Sequence, residues 1–200
     1  MDLLDTMNHY AREASWAVWA RDSAGELTGD AAFPLDQART QLHGRAMIVS
    51  LNPGSDKADE IEHTKPDWSN FHSLATKHND MFLAKALIGT KLWGAYMTDL
   101  HSDIAESNSA LVRIGAPGVE IAVHSLITQA QLLGAVESII CVGKQSHASV
   151  RKHARLIEEE LGLQADSIVG IPHYSRSNAG VHKHRPELYR ALVHQAIDRP

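Results

Sequence analysis

Four short apolar runs recur between helical segments, and that alternation limits the fold more than any other feature. They are AMIVSL (46–51), AYMTDL (95–100), SIICVG (138–143) and the start of DSIVGIPHYS (166–175). Near-continuous apolar runs of this length read as strands buried on both faces. Residues 73–91, GVEIAVHSLITQAQLLG (118–134), QSHASVRKHARLIEEELG (145–162) and 185–198 read as helices, with Gly134 and Gly162 as stops. Strands alternating with helices predict an α/β fold of three layers, α/β/α, around a central four-stranded parallel sheet.

The remaining segments carry weaker signals. Leu3, Leu4, Met7, Tyr10, Ala14, Val18 and Trp19 recur near a 3.6 period, which predicts a helix over 2–20. Residues 21–45 read as irregular or a short helix, and 55–72 and 101–117 as loops. A chain of 200 residues can bury a full core without a staple. The expected organisation is one domain over 1–200, with 1–45 as a helix and irregular extension and 46–200 as the core. A single Cys excludes an intrachain disulfide and a Cys-based zinc site. No apolar run approaches a membrane span, and MDLLDTMNHYAREAS has no basic start followed by an apolar stretch. The expectation is a cytoplasmic protein. A net charge of -5 gives no global argument for nucleic-acid binding, so function must be read from sites.

In parallel sheets ligands bind outside the carboxyl ends of the strands. The residues there are Asn52-Pro53-Gly54, Asp99 and His101, Gly143-Lys144-Gln145, and His173 to Asn178. In LNPGS (51–55), Pro53 fixes its own φ and pushes Asn52 toward extended backbone, while Gly54 permits a sharp turn and close approach. The Asn52 carboxamide oxygen could orient a water; the same tetrapeptide also serves as an ordinary Asx turn. In PHYSRSN (172–178), His173 can donate to developing negative charge, and Ser175, Ser177, Arg176 and backbone amides can bind phosphate. The alternative is a polar loop with a satisfied histidine.

Taken together, the two motifs resemble those of the uracil-DNA glycosylase superfamily, in the branch whose first motif reads G-x-N-P-G. VSLNPGS (49–55) is similar to that first motif and IPHYSRSN (171–178) to the second. AYMTDLHS (95–102) is similar to the middle strand, and ESIICVGKQSHASV (137–150) to the strand and Gly turn that follow. The resemblance spans residues 46–178 in order. It implies a monofunctional DNA N-glycosylase of base excision repair, with DNA carrying a modified base as partner and no metal or organic cofactor. Asn52 would position the attacking water and His173 would stabilise the departing base. Pro53, Gly54, Phe71, Trp68 and Asp99 would surround the flipped base. Lys144, Ser175, Arg176, Ser177 and Asn178 would hold backbone phosphates. A monomer is expected.

Three positions depart from the family pattern: Ser50 for Gly, Tyr174 for Pro, and Asp99 where several branches place a base-reading Asn. An ionised carboxylate only accepts hydrogen bonds, so Asp99 suits an exocyclic amine better than the uracil O4; it also reads as a strand-end acid or cap partner. Phe71 and Trp68, in DWSNF, serve equally well as anchors of that loop in the core. Cys141 reads as a small buried hydrophobe, and His182-Lys183-His184 as a solvated basic turn rather than a metal site. A second functional class stays open: a non-catalytic member of the same fold binding nucleic acid, a nucleotide or a protein. A third keeps the pocket chemistry and acts on a free nucleoside or nucleotide.

Overall fold

The computed structural model describes residues 2–30, 32–53, 66–73, 78–104, 106, 112, 115–175 and 180–198. Five strands form one mixed sheet: β1 (Ser15–Trp16), β2 (His43–Ser50), β3 (Ala95–Asp99), β4 (Ser138–Val142) and β5 (Ile168–Ile171), in the order β1-β3-β2-β4-β5. Strands β2 to β5 run parallel, as their apolar composition predicts. The added strand, β1, is antiparallel to β3, with Ser15 opposite Met97 and Trp16 opposite Tyr96. The architecture is therefore α/β with an antiparallel edge, not a purely parallel four-stranded sheet.

Seven α-helices lie among the described residues: α1 (Leu3–Met7), α2 (Leu35–Ala38), α3 (Asp80–Leu87), α4 (Ala116–Leu133), α5 (Lys144–Lys152), α6 (Ala154–Leu161) and α7 (Pro186–Ile197). Strand alternation sorts the core into two clusters. Met47, Val49, Tyr96, Ile139, Cys141 and Ile168 face α1, α4 and α6. Ala46, Ile48, Met97, Ile140, Val142 and Ile171 face α3 and α7. Helices thus cover both faces of the sheet.

Two expectations are corrected here. The helix expected over 2–20 ends early: α1 stops at Met7, a 3₁₀ turn covers Asn8–Tyr10, and the chain then becomes β1. Asn8, His9 and Tyr10 are weak helix formers. Beyond them Trp16 packs into one face while Ala17 and Trp19 pack into the other. Neighbours buried on opposite faces require extended chain, not a one-sided helix. The helix expected over 145–162 is two helices that break at His153 (φ -105°, ψ 18°). The His153 ring nitrogen Nδ1 lies 2.9 Å from the Ser149 carbonyl, which an unbroken helix would give to the His153 N–H. That N–H turns instead to the Val150 carbonyl.

Smaller shifts concern boundaries. Strand β2 starts at His43, three residues before the apolar run. A 3₁₀ turn at Ala165–Ser167 precedes β5, and chain exit begins at Pro172. Helix α3 starts at Asp80, after a left-handed Asn79; the 74–77 part of the helix expected over 73–91 lies outside the described residues. No helix among the described residues is long and apolar enough to cross a membrane.

Candidate active site

The strand order sets where a ligand crevice opens. From β2 the chain crosses to β3 on one side, then returns to β4 on the other. The switch point lies between β2 and β4, at their carboxyl ends. A cavity of about 630 Å³ opens there. Leu51, just past β2, lines it together with Val142 and Gly143 at the end of β4 and Ile171, Pro172 and His173 after β5. Helix α5 starts at its wall, bringing Lys144, Gln145, Ser146 and His147, and the 180–182 segment closes the outer side.

Gly143 caps α5 with φ 87°, a conformation that favours glycine. A Cβ at this position would stand 3.3 Å from Cδ2 of His173, so the missing side chain also makes room for the imidazole. The first backbone N–H groups of α5 have no partner in their own helix and carry its positive end toward the cavity. Helix α5 is pinned in place by Ser146, whose hydroxyl donates to the Val49 carbonyl at 2.8 Å.

His173 is held as a neutral donor. Its Nδ1 accepts the Ser175 backbone N–H at 3.1 Å, so the ring proton resides on Nε2. Burial, and then the neighbouring His182, push its pKa down to about 4. His182 is itself buried and donates through Nε2 to the His173 carbonyl at 2.8 Å. It stacks on Tyr189 at 5.2 Å between ring centroids. This corrects the expectation of a solvated turn at His182, although Lys183 and His184 are exposed.

Asn52 follows β2, half-buried. Its Nδ2 faces three carbonyl oxygens: Pro53 at 3.0 Å, Ile104 at 3.0 Å and Glu106 at 2.7 Å. Turning the amide over would set oxygen against three oxygens, so its orientation is fixed. Its Oδ1 accepts no hydrogen bond among the described residues. It is the atom left to hold a water. Pro53 continues this turn and its carbonyl also accepts the Glu106 N–H; Gly54 lies outside the described residues.

The other expected site residues are distributed differently. Lys144 lines the cavity, and Ser175 contributes its N–H to His173. Arg176, Ser177 and Asn178 lie outside the described residues. Asn52, Pro53, Asp99, Trp68, Phe71 and Ser175 are not among the cavity's lining residues, so of the two predicted catalytic side chains only His173 stands in its wall. Asp99 is buried at the end of β3, where Oδ2 accepts from Asn70 Nδ2 at 2.9 Å. Trp68 packs 6.0 Å from Trp16 across one face, its N–H donating to the Ala11 carbonyl, while Phe71 packs into the opposite face. Both have left-handed φ values, 62° and 64°, which bulky residues rarely adopt and which the surrounding core must impose. The cavity also contains residues the sequence reading passed over, Ser146, His147, Gly170 and Leu192, and His182, which it had read as solvated. Ser146 and His147 were accessible from their place directly after the Gly-Lys turn. Gly170 shows its role only in three dimensions, where a Cβ would stand 2.8 Å from the His147 ring.

Cys141 is buried and its thiol is pushed up to about 12 by burial, in keeping with a hydrophobic role. Among the described residues no group of three His, Cys, Asp or Glu is placed to hold a metal ion.

The buried neutral histidines couple stability to pH. His173 and His72 both sit near 4, below the ordinary 6.5, with burial as the main cause. Between those values the unfolded chain binds protons that the folded chain refuses, so stability falls as pH drops. Each such histidine contributes about 1.4 kcal/mol per pH unit in that window. Urea midpoints at pH 7 and pH 5 should therefore differ clearly. Equal midpoints would show that these rings are not buried neutral.

The chain matches no protein-family model, and no curated protein matches it.

Proposed function

We propose that the chain is a DNA N-glycosylase of the uracil-DNA glycosylase type, hydrolysing the bond between deoxyribose and a deaminated or damaged base. The observation that carries this reading is the opposite polarity of two immobilised side chains. Asn52 presents an acceptor and His173 a neutral donor, both at carboxyl ends of parallel strands. Hydrolysis of an N-glycosidic bond needs both: an oriented water to attack C1′ and a donor for the negative charge on the departing base. A binding module has no use for the pair.

On this reading the base leaves the DNA stack and enters the cavity, since its bond to sugar is out of reach within a duplex. The Asn52 Oδ1 accepts a hydrogen bond from the water and so aims the water's lone pair at C1′. As the bond breaks, the sugar gains oxocarbenium character and His173 Nε2–H donates to the base. A preorganised donor of this kind is worth ~3 kcal/mol of barrier. Because His173 is neutral, it stabilises the anion without first surrendering a full charge. Lys144 and the first turn of α5 attract the flanking phosphates, with Ser175, Arg176, Ser177 and Asn178 as the expected companions. The protein then works as a cytoplasmic monomer on DNA and its chemistry uses only side chains and water.

The alternative, a non-catalytic member of the fold that binds nucleic acid, a nucleotide or a protein, is favoured by one observation: Asn52, Asp99, Trp68 and Phe71 are all absent from the cavity's lining. The discriminating experiment offers labelled oligonucleotides carrying uracil, hypoxanthine, xanthine or thymine opposite guanine, single- and double-stranded, beside the Asn52→Ala protein. An abasic product that disappears in the variant is the expected result. Binding without any abasic product would overturn the catalytic reading.

A further inference from the structure

The residue after His173 makes contacts that the chemistry above does not use. Tyr174 is 6% exposed and packs in the α3–α7 face of the core. Its hydroxyl hydrogen-bonds the carboxylate of Asp80, the first residue of α3. Its backbone carbonyl accepts from Asn79 Nδ2 at 3.0 Å. Two consecutive residues thus grip Tyr174 at its two ends. Asp80 is 4% exposed and also takes the Ser73 N–H through Oδ2 at 2.7 Å, so it cannot shift independently. One residue upstream, the His173 carbonyl is held by His182. The peptide groups on both sides of Tyr174 are therefore pinned, which fixes the direction in which the His173 side chain leaves the backbone. The two rings lie 5.2 Å apart at 30°. The imidazole has the Tyr174 ring and the bare backbone of Gly143 as neighbours.

The geometry points to Tyr174 as a positioning residue for His173, acting through a latch to Asn79 and Asp80 at the start of α3. This rests on the reading of His173 as the donor to the departing base. It also gives a physical role to the departure from the family's Pro at this position. A proline would stiffen the loop from within; the tyrosine fixes it from outside, by reaching a carboxylate on another element. Burial together with the Asp80 and Asp99 carboxylates raises the phenol pKa well above its ordinary value, so the hydroxyl stays protonated and keeps donating. The titratable groups that share the cavity wall with His173 are His182 from the 180–185 turn and Lys144 and His147 from α5, while the Asp80 and Asp99 carboxylates act on Tyr174.

The test is nitrogen NMR of protein labelled at histidine, which reads tautomer and titration of His173 without requiring turnover. The wild-type ring should carry its proton on Nε2 and titrate near 4. Tyr174→Phe removes only the hydroxyl. Asn79→Gly removes the second contact and keeps the left-handed backbone that Asn79 adopts. Each should mix the tautomers and raise the His173 midpoint by about one pH unit or more, as the loop loosens toward water. Asp80→Asn retains a partner for the phenol and should restore wild-type titration. If turnover is measurable, Tyr174→Phe should lower kcat about 10-fold with KM unchanged. Folded Tyr174→Phe and Asn79→Gly proteins with an unaltered His173 would overturn the latch; either alone decides the matter if the other fails to fold. A wild-type His173 titrating near 6.5 would overturn both latch and donor. No excision of any base, with these NMR shifts present, would overturn the glycosylase reading and leave the positioning role standing.

Discussion

Asn52→Ala is expected to lower base excision by at least ~10²-fold, the cost of losing a well-oriented reactant. The loss should appear in kcat, because on the proposed reading Asn52 would hold the water and not the bulk of the DNA. The substitution has a structural side that must be separated from its chemistry. The carboxamide Nδ2 ties down the carbonyls of Pro53, Ile104 and Glu106. Those carbonyls are only partly buried, so water can replace the donor, and the net cost should be about 1–2 kcal/mol. For a chain of this size that corresponds to a Tm lower by about 3–6 °C. Asn52→Asp separates the two effects in the opposite direction. It keeps an acceptor for the water but sets a carboxylate oxygen against three carbonyl oxygens. It should cost more stability than Asn52→Ala. An Asn52→Ala protein with wild-type kcat would remove the water-positioning role altogether.

The largest structural effect is expected at Gly94, immediately before β3. Its φ is 91°, and a Cβ there would fall far inside van der Waals contact distance of the Gln41 carbonyl oxygen and 2.9 Å from its carbon. The obstructing atoms are backbone, and they have little freedom. Gln41 donates to the Gln37 carbonyl, and its Oε1 accepts from Trp93 Nε1 at 2.7 Å and Arg21 Nη2 at 3.2 Å. Gly94 itself donates to the Ala17 carbonyl and accepts from the His43 N–H. At this one residue β2 and β3 begin and β1 ends. Gly94→Ala should therefore cost more than ~4 kcal/mol, in the range reserved for strain at a special backbone position. Gly134→Ala is the control. It has a similar φ of 77° with nothing within 4 Å of the added carbon, and should cost about 1 kcal/mol. Urea denaturation of both proteins checks the contrast; equal losses would mean that the Gln41 segment moves aside freely.

The parallel sheet was legible because its strands are buried on both faces. AMIVSL, AYMTDL, SIICVG and the IVGI of β5 are too short to be anything but buried strands. Strand β1 was not legible, because two residues cannot display a period, and Ala14, Val18 and Trp19 around it fit a helical stripe. The division between α5 and α6 depends on where one imidazole finds its partner, and no propensity scale contains that. Turn chemistry placed Asn52 and His173 at strand exits, since Pro53 and the polar second motif mark them. It could not identify the cavity wall, which combines Leu51, Gly170, His182 and Leu192 from distant parts of the chain. Phe71 and Trp68 show the limit of composition. An aromatic loop residue serves a ligand or a core, and here the backbone turns left-handed to deliver both rings to the core.

The two-residue β1 has an importance out of proportion to its length. An unpaired outer strand offers its amides to any other chain, which is how sheets aggregate. Ser15 and Trp16 occupy that edge of β3, and the Ala17 N–H extends the pairing to the Ala95 carbonyl. Their partners lie some eighty positions further on, so the seal forms only after a long stretch of chain has been brought together. Until then the margin of the sheet is open to neighbours. The smallest unit able to fold without such exposure begins before Ser15, even though every residue of the cavity comes after position 50.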